Sequence, residues 1–231
     1  MRKRILLIFL LPGALIFISF VFSTLISAKG NDKAEKKTYF PYIKTNRLIL
    51  DSDFDDVSSQ IKNENGKQYI KVDGEDFKYY QELVISDTSV SILHTYSKFK
   101  YLLFFTKEAT ISYKEPVMRF PLPLEKGKRW TWNGYEYFGD DSATVSIKGF
   151  VEGEEKIKVP AGEFTAMKVV TELVTGKGSK NKITEWIAPD IGIIKTHITI
   201  EGGGFTGFLR NILGYSEINF ELKGVEKLVL K

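Results

Sequence analysis

Two histidines, a run of alternating acids and a glycine triplet are where this chain could hold chemistry. Each needs a partner residue at a set distance, and locally each lacks one. Neither His94 nor His197 has a suggestive neighbouring Ser or Asp, and no G-x-S-x-G elbow occurs, so a Ser-His-acid relay has no signature. His197 alternates with Lys195 and Thr199, which is the pattern of a solvated strand face. Cysteine is absent, which excludes thiol nucleophiles and disulfides and, with two histidines, leaves too few ligands for zinc. Asp51-Ser52-Asp53-Phe54-Asp55-Asp56 spaces its acids as a calcium loop does. It lacks the turn glycine and has Lys62 where the distal Glu belongs. Gly202-Gly203-Gly204 lacks the Lys and the spacing of a phosphate or dinucleotide loop. The chain is therefore expected to be non-enzymatic, with no catalytic residue, no metal and no cofactor.

The segment after those glycines carries a different kind of chemistry. Phe205, Phe208, Leu209, Ile212 and Leu213 recur at helical spacing, an apolar stripe with Thr206, Gly207, Arg210 and Asn211 off it. Glycines flank it on both sides. These five residues are the candidate contacts for lipid or another apolar ligand, as a lid on a barrel mouth or a foot on a bilayer. Packing onto the core is the competing reading.

The N-terminus gives the address. Met1-Arg2-Lys3-Arg4 is a basic cap, and Ile5 to Ile26 follows without a charge. Basic residues stay on the cytosolic side, so the remainder is expected outside the cytoplasm: periplasmic, secreted or held on the outer face of the membrane. The apolar run is long enough to span, about 20 residues being needed. Pro12-Gly13 and the small residues before Ala28 also suit a leader cut after Ala28. Residues 1–28 are thus a signal peptide or a membrane anchor, and 29–37 (KGNDKAEKK) a polar tether. Without Arg2, Lys3 and Arg4 the formal charge falls from +4 to +1, which removes the case for nucleic acid.

Residues 38–231 must supply the elements. Period-two alternation dominates: Ile218, Phe220 and Leu222 against Glu217, Asn219, Glu221 and Lys223; Val145, Ile147 and Val151 against Thr144, Ser146 and Lys148; Ile194, Ile198 and Ile200 against Lys195, His197 and Thr199. Such one-sided burial belongs to antiparallel sheets with one wet face. Turn signals fall between: Asn65-Gly66, Asp73-Gly74, Asn133-Gly134, Glu152-Gly153, Pro160-Ala161-Gly162 and Gly176-Lys177-Gly178. Roughly 11–13 strands are expected by this spacing. Val57 and Ile61, four apart, allow one short helix within Asp51–Glu64. The fold class is all-β: a single strongly curved antiparallel sheet forming a half-barrel or barrel, behind an N-terminal hydrophobic leader helix. A faint echo links Tyr39-Phe40-Pro41 before Leu48-Ile49-Leu50 with Arg119-Phe120-Pro121 before Trp130-Thr131-Trp132.

Three segments carry a family resemblance. Pro121-Leu122-Pro123-Leu124-Glu125-Lys126-Gly127-Lys128-Arg129-Trp130-Thr131-Trp132, Val159-Pro160-Ala161-Gly162-Glu163-Phe164 with Met167-Lys168-Val169, and Trp186-Ile187-Ala188-Pro189-Asp190-Ile191-Gly192-Ile193-Ile194-Lys195 resemble, in order and spacing, the TapB-like family of exported bacterial β-proteins. The resemblance implies a curved antiparallel half-barrel or barrel in the cell envelope, and no catalytic residues. Independently, the same residues suit structural work, with Trp130, Trp132 and Trp186 filling the barrel wall. The expected function is non-catalytic binding of a lipophilic molecule or envelope component. The alternative is a scaffold, tethered through residues 5–26 if uncleaved, that binds another protein.

Overall fold

A computed structural model describes residues 39–40, 46–101, 105–202, 214 and 216–227. The leader, the tether and the stripe Phe205, Phe208, Leu209, Ile212 and Leu213 lie outside the described residues. Twelve antiparallel strands occupy the described part: β1 (Asn46–Ser52), β2 (Val57–Glu64), β3 (Lys67–Asp73), β4 (Phe77–Ile85), β5 (Ser89–Tyr101), β6 (Phe105–Pro121), β7 (Arg129–Phe138), β8 (Asp141–Val159), β9 (Gly162–Thr175), β10 (Ser179–Ala188), β11 (Gly192–Gly202) and β12 (Glu217–Lys227). Each pairs with its sequence neighbour, and β1 also pairs with β12, which closes an up-and-down barrel. The half-barrel alternative is thereby set aside.

The alternation read from the sequence is the inside–outside pattern of the wall. Ile218, Phe220 and Leu222 oppose Ile198, Thr196 and Leu50 or Ser52 across the β11–β12–β1 ladders and face inward. The outer positions carry charge, and many are paired, as in Lys71–Glu64 (2.6 Å), Lys195–Glu221 (2.6 Å) and Lys168–Glu152 (2.9 Å). Exposed pairs of this kind stabilise little, but they identify the solvent. A wall facing lipid would instead present an apolar band.

Asp51–Glu64 is corrected by the structure. It holds β1, a turn and β2, with no helix. Val57 and Ile61 are four apart, an even number, so they also share a strand face; both line the interior, across from Leu50 and Ile70. Two turn signals are corrected as well. Asn133-Gly134 lies inside β7 and Glu152-Gly153 inside β8. Gly153 (φ 127) sits at a register shift between β8 and β9, where the extra residue needs backbone freedom. Asn65 (φ 52) and Gly66 (φ 78) do form the tight β2–β3 turn, as the sequence indicates.

Trp130 and Trp132 face inward, and glycines make room for them. A Cβ on Gly149 would lie closer than 3.0 Å to the Trp130 ring, and one on Gly134 equally close to the Trp132 ring. Trp186 is half-buried and packs against the core cluster that holds Val159, Ala166 and Ala188, while Lys168 and Lys195, opposite it on β9 and β11, bring their ammonium groups to 5.7 and 5.5 Å from its ring centroid. Its indole N–H donates to Glu155. The Phe40 and Phe120 rings of the two echoed segments meet edge to face at 5.3 Å in the core.

Candidate functional site

Antiparallel connectivity puts alternate turns at opposite ends of the barrel. The β2–β3, β4–β5, β6–β7, β8–β9 and β10–β11 connections share one end; the β1–β2, β3–β4, β5–β6, β7–β8, β9–β10 and β11–β12 connections share the other, here the rim. Inward residues are buried toward both ends, with half-buried ones among them. Toward the first end Val90, Phe120, Val151, Val169 and Ile187 are sealed, and Trp130 packs among them. The β8–β9 hairpin also reaches across β10 and β11 to β12, where the Ala161 N–H donates to the Leu222 carbonyl (2.9 Å). Toward the rim Val57, Phe77, Phe99, Val145, Ile200 and Ile218 are buried as well, while Tyr113, Trp132, Leu173, Ile183, Ile198 and Phe220 face inward and are only half-buried. These half-buried side chains, here the cup, lie on β6, β7 and β9–β12 of an otherwise packed lumen. Phe54, from the β1–β2 turn, roofs one side by stacking on Phe77 (4.9 Å) and packing against Phe99 (5.3 Å).

A polar belt crosses the lumen. Arg119 is the extra residue of a bulge between Val90↔Phe120 and Ser91↔Met118, and the bulge aims its side chain across the lumen. Its guanidinium donates to Gln81 of β4 (2.5 Å) and to Glu185 of β10 (2.5 Å). The Gln81 amide donates in turn to the Tyr79 hydroxyl (2.6 Å). Arg119 and Glu185 are both largely withdrawn from water, so each depends on the other for its charge.

Between belt and rim lies a second group. Tyr113 and Glu136 are directly opposite each other, and with Ser112↔Tyr137 they form the whole register between β6 and β7. Residues 113–116 of β6 are extra relative to β5, and Pro116 has no N–H to give a ladder, so the strands part beyond this point. The Trp132 ring leans over Gly134 toward Glu136 and meets Tyr113 edge-on at 5.9 Å. Glu136 is 8 % exposed and, among the described residues, has neither a hydrogen-bond nor an ion-pair partner. Burial lifts its carboxyl above the usual range. Burial likewise raises the Tyr113 phenol, with Tyr79 and Glu136 adding to the effect.

The residues the sequence offered for chemistry have structural employment. His94 Nδ1 lies 3.0 Å from Ser112 Oγ, a neighbour that strand pairing supplies, while its Nε2 is 3.9 Å from Glu82. That acid distance exceeds hydrogen-bond range, Lys67 already holds Glu82, and the row lies on the convex outer wall. These side chains form a cross-strand ladder. His197 Nδ1 pairs with Asn219 Oδ1 (2.7 Å). In the acidic run, Asp53 accepts from the Asn219 N–H (2.7 Å) and Asp56 holds Lys223 (2.7 Å), which ties the β1–β2 turn to β12. Among the described residues no group of three or more His, Asp or Glu is arranged to hold a metal.

Apolar surface gathers at the rim. Phe105 (58 % exposed), Tyr135 (54 %), Tyr137 (40 %) and Val174 (46 %) lie on strand ends there. An open hollow of about 520 Å³ lies beside Tyr135 and Val174, with Asn133, Thr144 and Ser146 on the same outer face. Lys98, Lys100, Lys107 and Lys177 stand around this rim. Sequence reading named Trp132, Ile198 and Phe220 as structural and gave no role to Tyr113, Glu136 or Glu185, because each is a single polar or aromatic position inside an ordinary alternating strand.

A comparison with curated proteins yields no match. Three solved structures are similar in fold. A proposed lipoprotein from Parabacteroides distasonis ATCC 8503 is 12 % identical, with 82 % of this chain and 99 % of that one covered and a TM-score of 0.41. The hypothetical lipoprotein YmcC from Escherichia coli (K12) is 11 % identical, with 82 % and 90 % covered and a TM-score of 0.41. A proposed exported protein with a YmcC-like fold from Bacteroides fragilis NCTC 9343 is 15 % identical, with 83 % and 100 % covered and a TM-score of 0.32. Residues 125–199, from the loop before β7 into β11, match the family model described as DUF3108-like.

Proposed function

We propose that this is an extracytoplasmic, non-catalytic barrel that receives a lipophilic molecule or cell-envelope component through its rim. The observation that carries the reading is the set of half-buried side chains inside the lumen. A barrel serving only as a rigid body would be packed throughout, whereas Trp132, Leu173, Ile183 and Ile198 face inward and are only half-buried. Exposed Phe105, Tyr135, Tyr137 and Val174, on the rim-side ends of β6, β7 and β9, give an apolar ligand or a bilayer surface a place to rest beside the rim. The β11–β12 connection leaves from this same rim. Its Phe205, Phe208, Leu209, Ile212 and Leu213 thus belong to the reading as lid or foot. Export rests on the basic cap and apolar run at the N-terminus and on the TapB-like resemblance of Pro121–Lys195, which overlaps the DUF3108-like match. The test is native mass spectrometry of protein purified from its own envelope. A retained lipid or other apolar molecule supports the reading, and a bare protein under conditions that keep known lipid carriers loaded sinks it.

The scaffold reading keeps one supporting observation. Beyond Tyr113↔Glu136 the facing edges of β6 and β7 are unpaired, and an open edge can accept a partner's strand.

A further inference from the structure

The cup contains an unbalanced charge. Arg119 is matched by Glu185 at 2.5 Å, so the polar belt is neutral as a unit. Glu136 lies nearer the rim, is buried to more than nine-tenths, and has no partner among the described residues. Partial burial makes its charge costly, and its oxygens are not fully sealed, so a cation can reach it and offset that cost.

The surroundings specify which kind of cation. Tyr113, directly opposite Glu136, and Trp132, whose ring leans over Gly134 toward it, stand at 84° to each other with centroids 5.9 Å apart. Two perpendicular ring faces beside one carboxylate are poor ligands for a metal, which needs several oxygens. They suit an alkylammonium, whose diffuse charge is attracted to ring faces and whose methylenes or methyls tolerate them. Both rings are half-buried, so their faces can be reached from the rim.

We propose that the lumen beside half-buried Tyr113 and Trp132 binds the ammonium head of an organic amine, with Glu136 as counter-charge and the Trp132 and Tyr113 rings as walls. The proposal rests on the reading of the cup as a ligand site and specifies its ligand: an amphiphile whose apolar part lies toward the rim while its head meets Glu136. Gly134 is then a specificity-determining position, because a Cβ there would displace the Trp132 ring that lies over it.

The test uses full-length protein in amphipol and three ten-carbon probes: decyltrimethylammonium, decanol and decanoate. Binding is followed by calorimetry. The expected result is at least tenfold tighter binding of the ammonium than of decanol, with decanoate weakest. Glu136→Gln should reduce the ammonium to the decanol level while leaving decanol unchanged, with an unaltered melting temperature or a higher one. Gly134→Ala should weaken the ammonium severalfold through the displaced ring. Equal binding of ammonium and decanol to the wild type, or an unchanged ratio in Glu136→Gln, overturns the ammonium site and leaves the apolar cup standing. Failure of all three probes to bind overturns both.

Discussion

Replacing Gly149 with alanine tests the interior most directly. Gly149 lies in β8 opposite Trp130 of β7, and the indole occupies the volume where a side chain would stand. The added methyl would come closer than 3.0 Å to Trp130 ring atoms, a separation Cβ atoms essentially never show. Trp130 cannot swing aside cheaply, because it is 7 % exposed and packed in the cluster of Phe120, Val151 and Met167. Overpacking a core costs about 1–3 kcal/mol, and a rigid ring against backbone belongs at the upper end. Complete expulsion of the ring would approach about 3–5 kcal/mol, as for truncating a buried aromatic. At about 2–4 °C per kcal/mol for a domain of this size, 3 kcal/mol lowers the melting temperature by about 6–12 °C. Thermal unfolding followed by circular dichroism and by tryptophan fluorescence measures it. Gly224→Ala is the control, since a Cβ there meets nothing within 4 Å. In a Trp130→Leu background Gly149→Ala should cost little, because the obstructing ring is gone. Wild-type melting of Gly149→Ala, or an equal cost in both backgrounds, refutes the seating of Trp130 on Gly149.

Four further outcomes are expected. Glu185→Ala strands the Arg119 guanidinium in the lumen and should cost about 3–5 kcal/mol in urea unfolding, the loss seen when one member of a buried pair is removed. Glu136 has a raised carboxyl pKa in the folded chain, so the folded state holds its proton longer; its stabilising contribution is full at acid pH and is lost as pH rises through the folded value. Glu136→Gln should therefore stabilise at neutral pH and have little effect at pH 3, and a stability difference that does not change with pH contradicts this. Fusing residues 1–36 to a reporter should place it outside the cytoplasm, with a cytosolic reporter counting against export. Replacing Phe205, Phe208 and Leu209 by serine should leave the β circular-dichroism spectrum intact and reduce liposome flotation; outright unfolding would instead make the segment core.

What the sequence by itself determined is local and periodic. Alternation in Ser216–Lys223, Ala143–Glu152 and Ile193–Ile200 marks which side chains face in, because a strand's side chains repeat every two residues whatever the strand pairs with. Asn65-Gly66 marks its turn because few residues tolerate the left-handed backbone there. The same locality misled where two periods agree, as at Val57 and Ile61, and where a glycine serves a ring rather than a turn, as at Gly134. Only the tertiary structure decided that β1 meets β12, that side chains such as Trp132 and Ile198 stay half-buried inside the lumen, and that Arg119 of β6 reaches Glu185 of β10. Those outcomes depend on register and bulges summed around a closed sheet. A bulge at Arg119 turns one side chain inward without altering the composition of its strand, so nothing in the local pattern announces it.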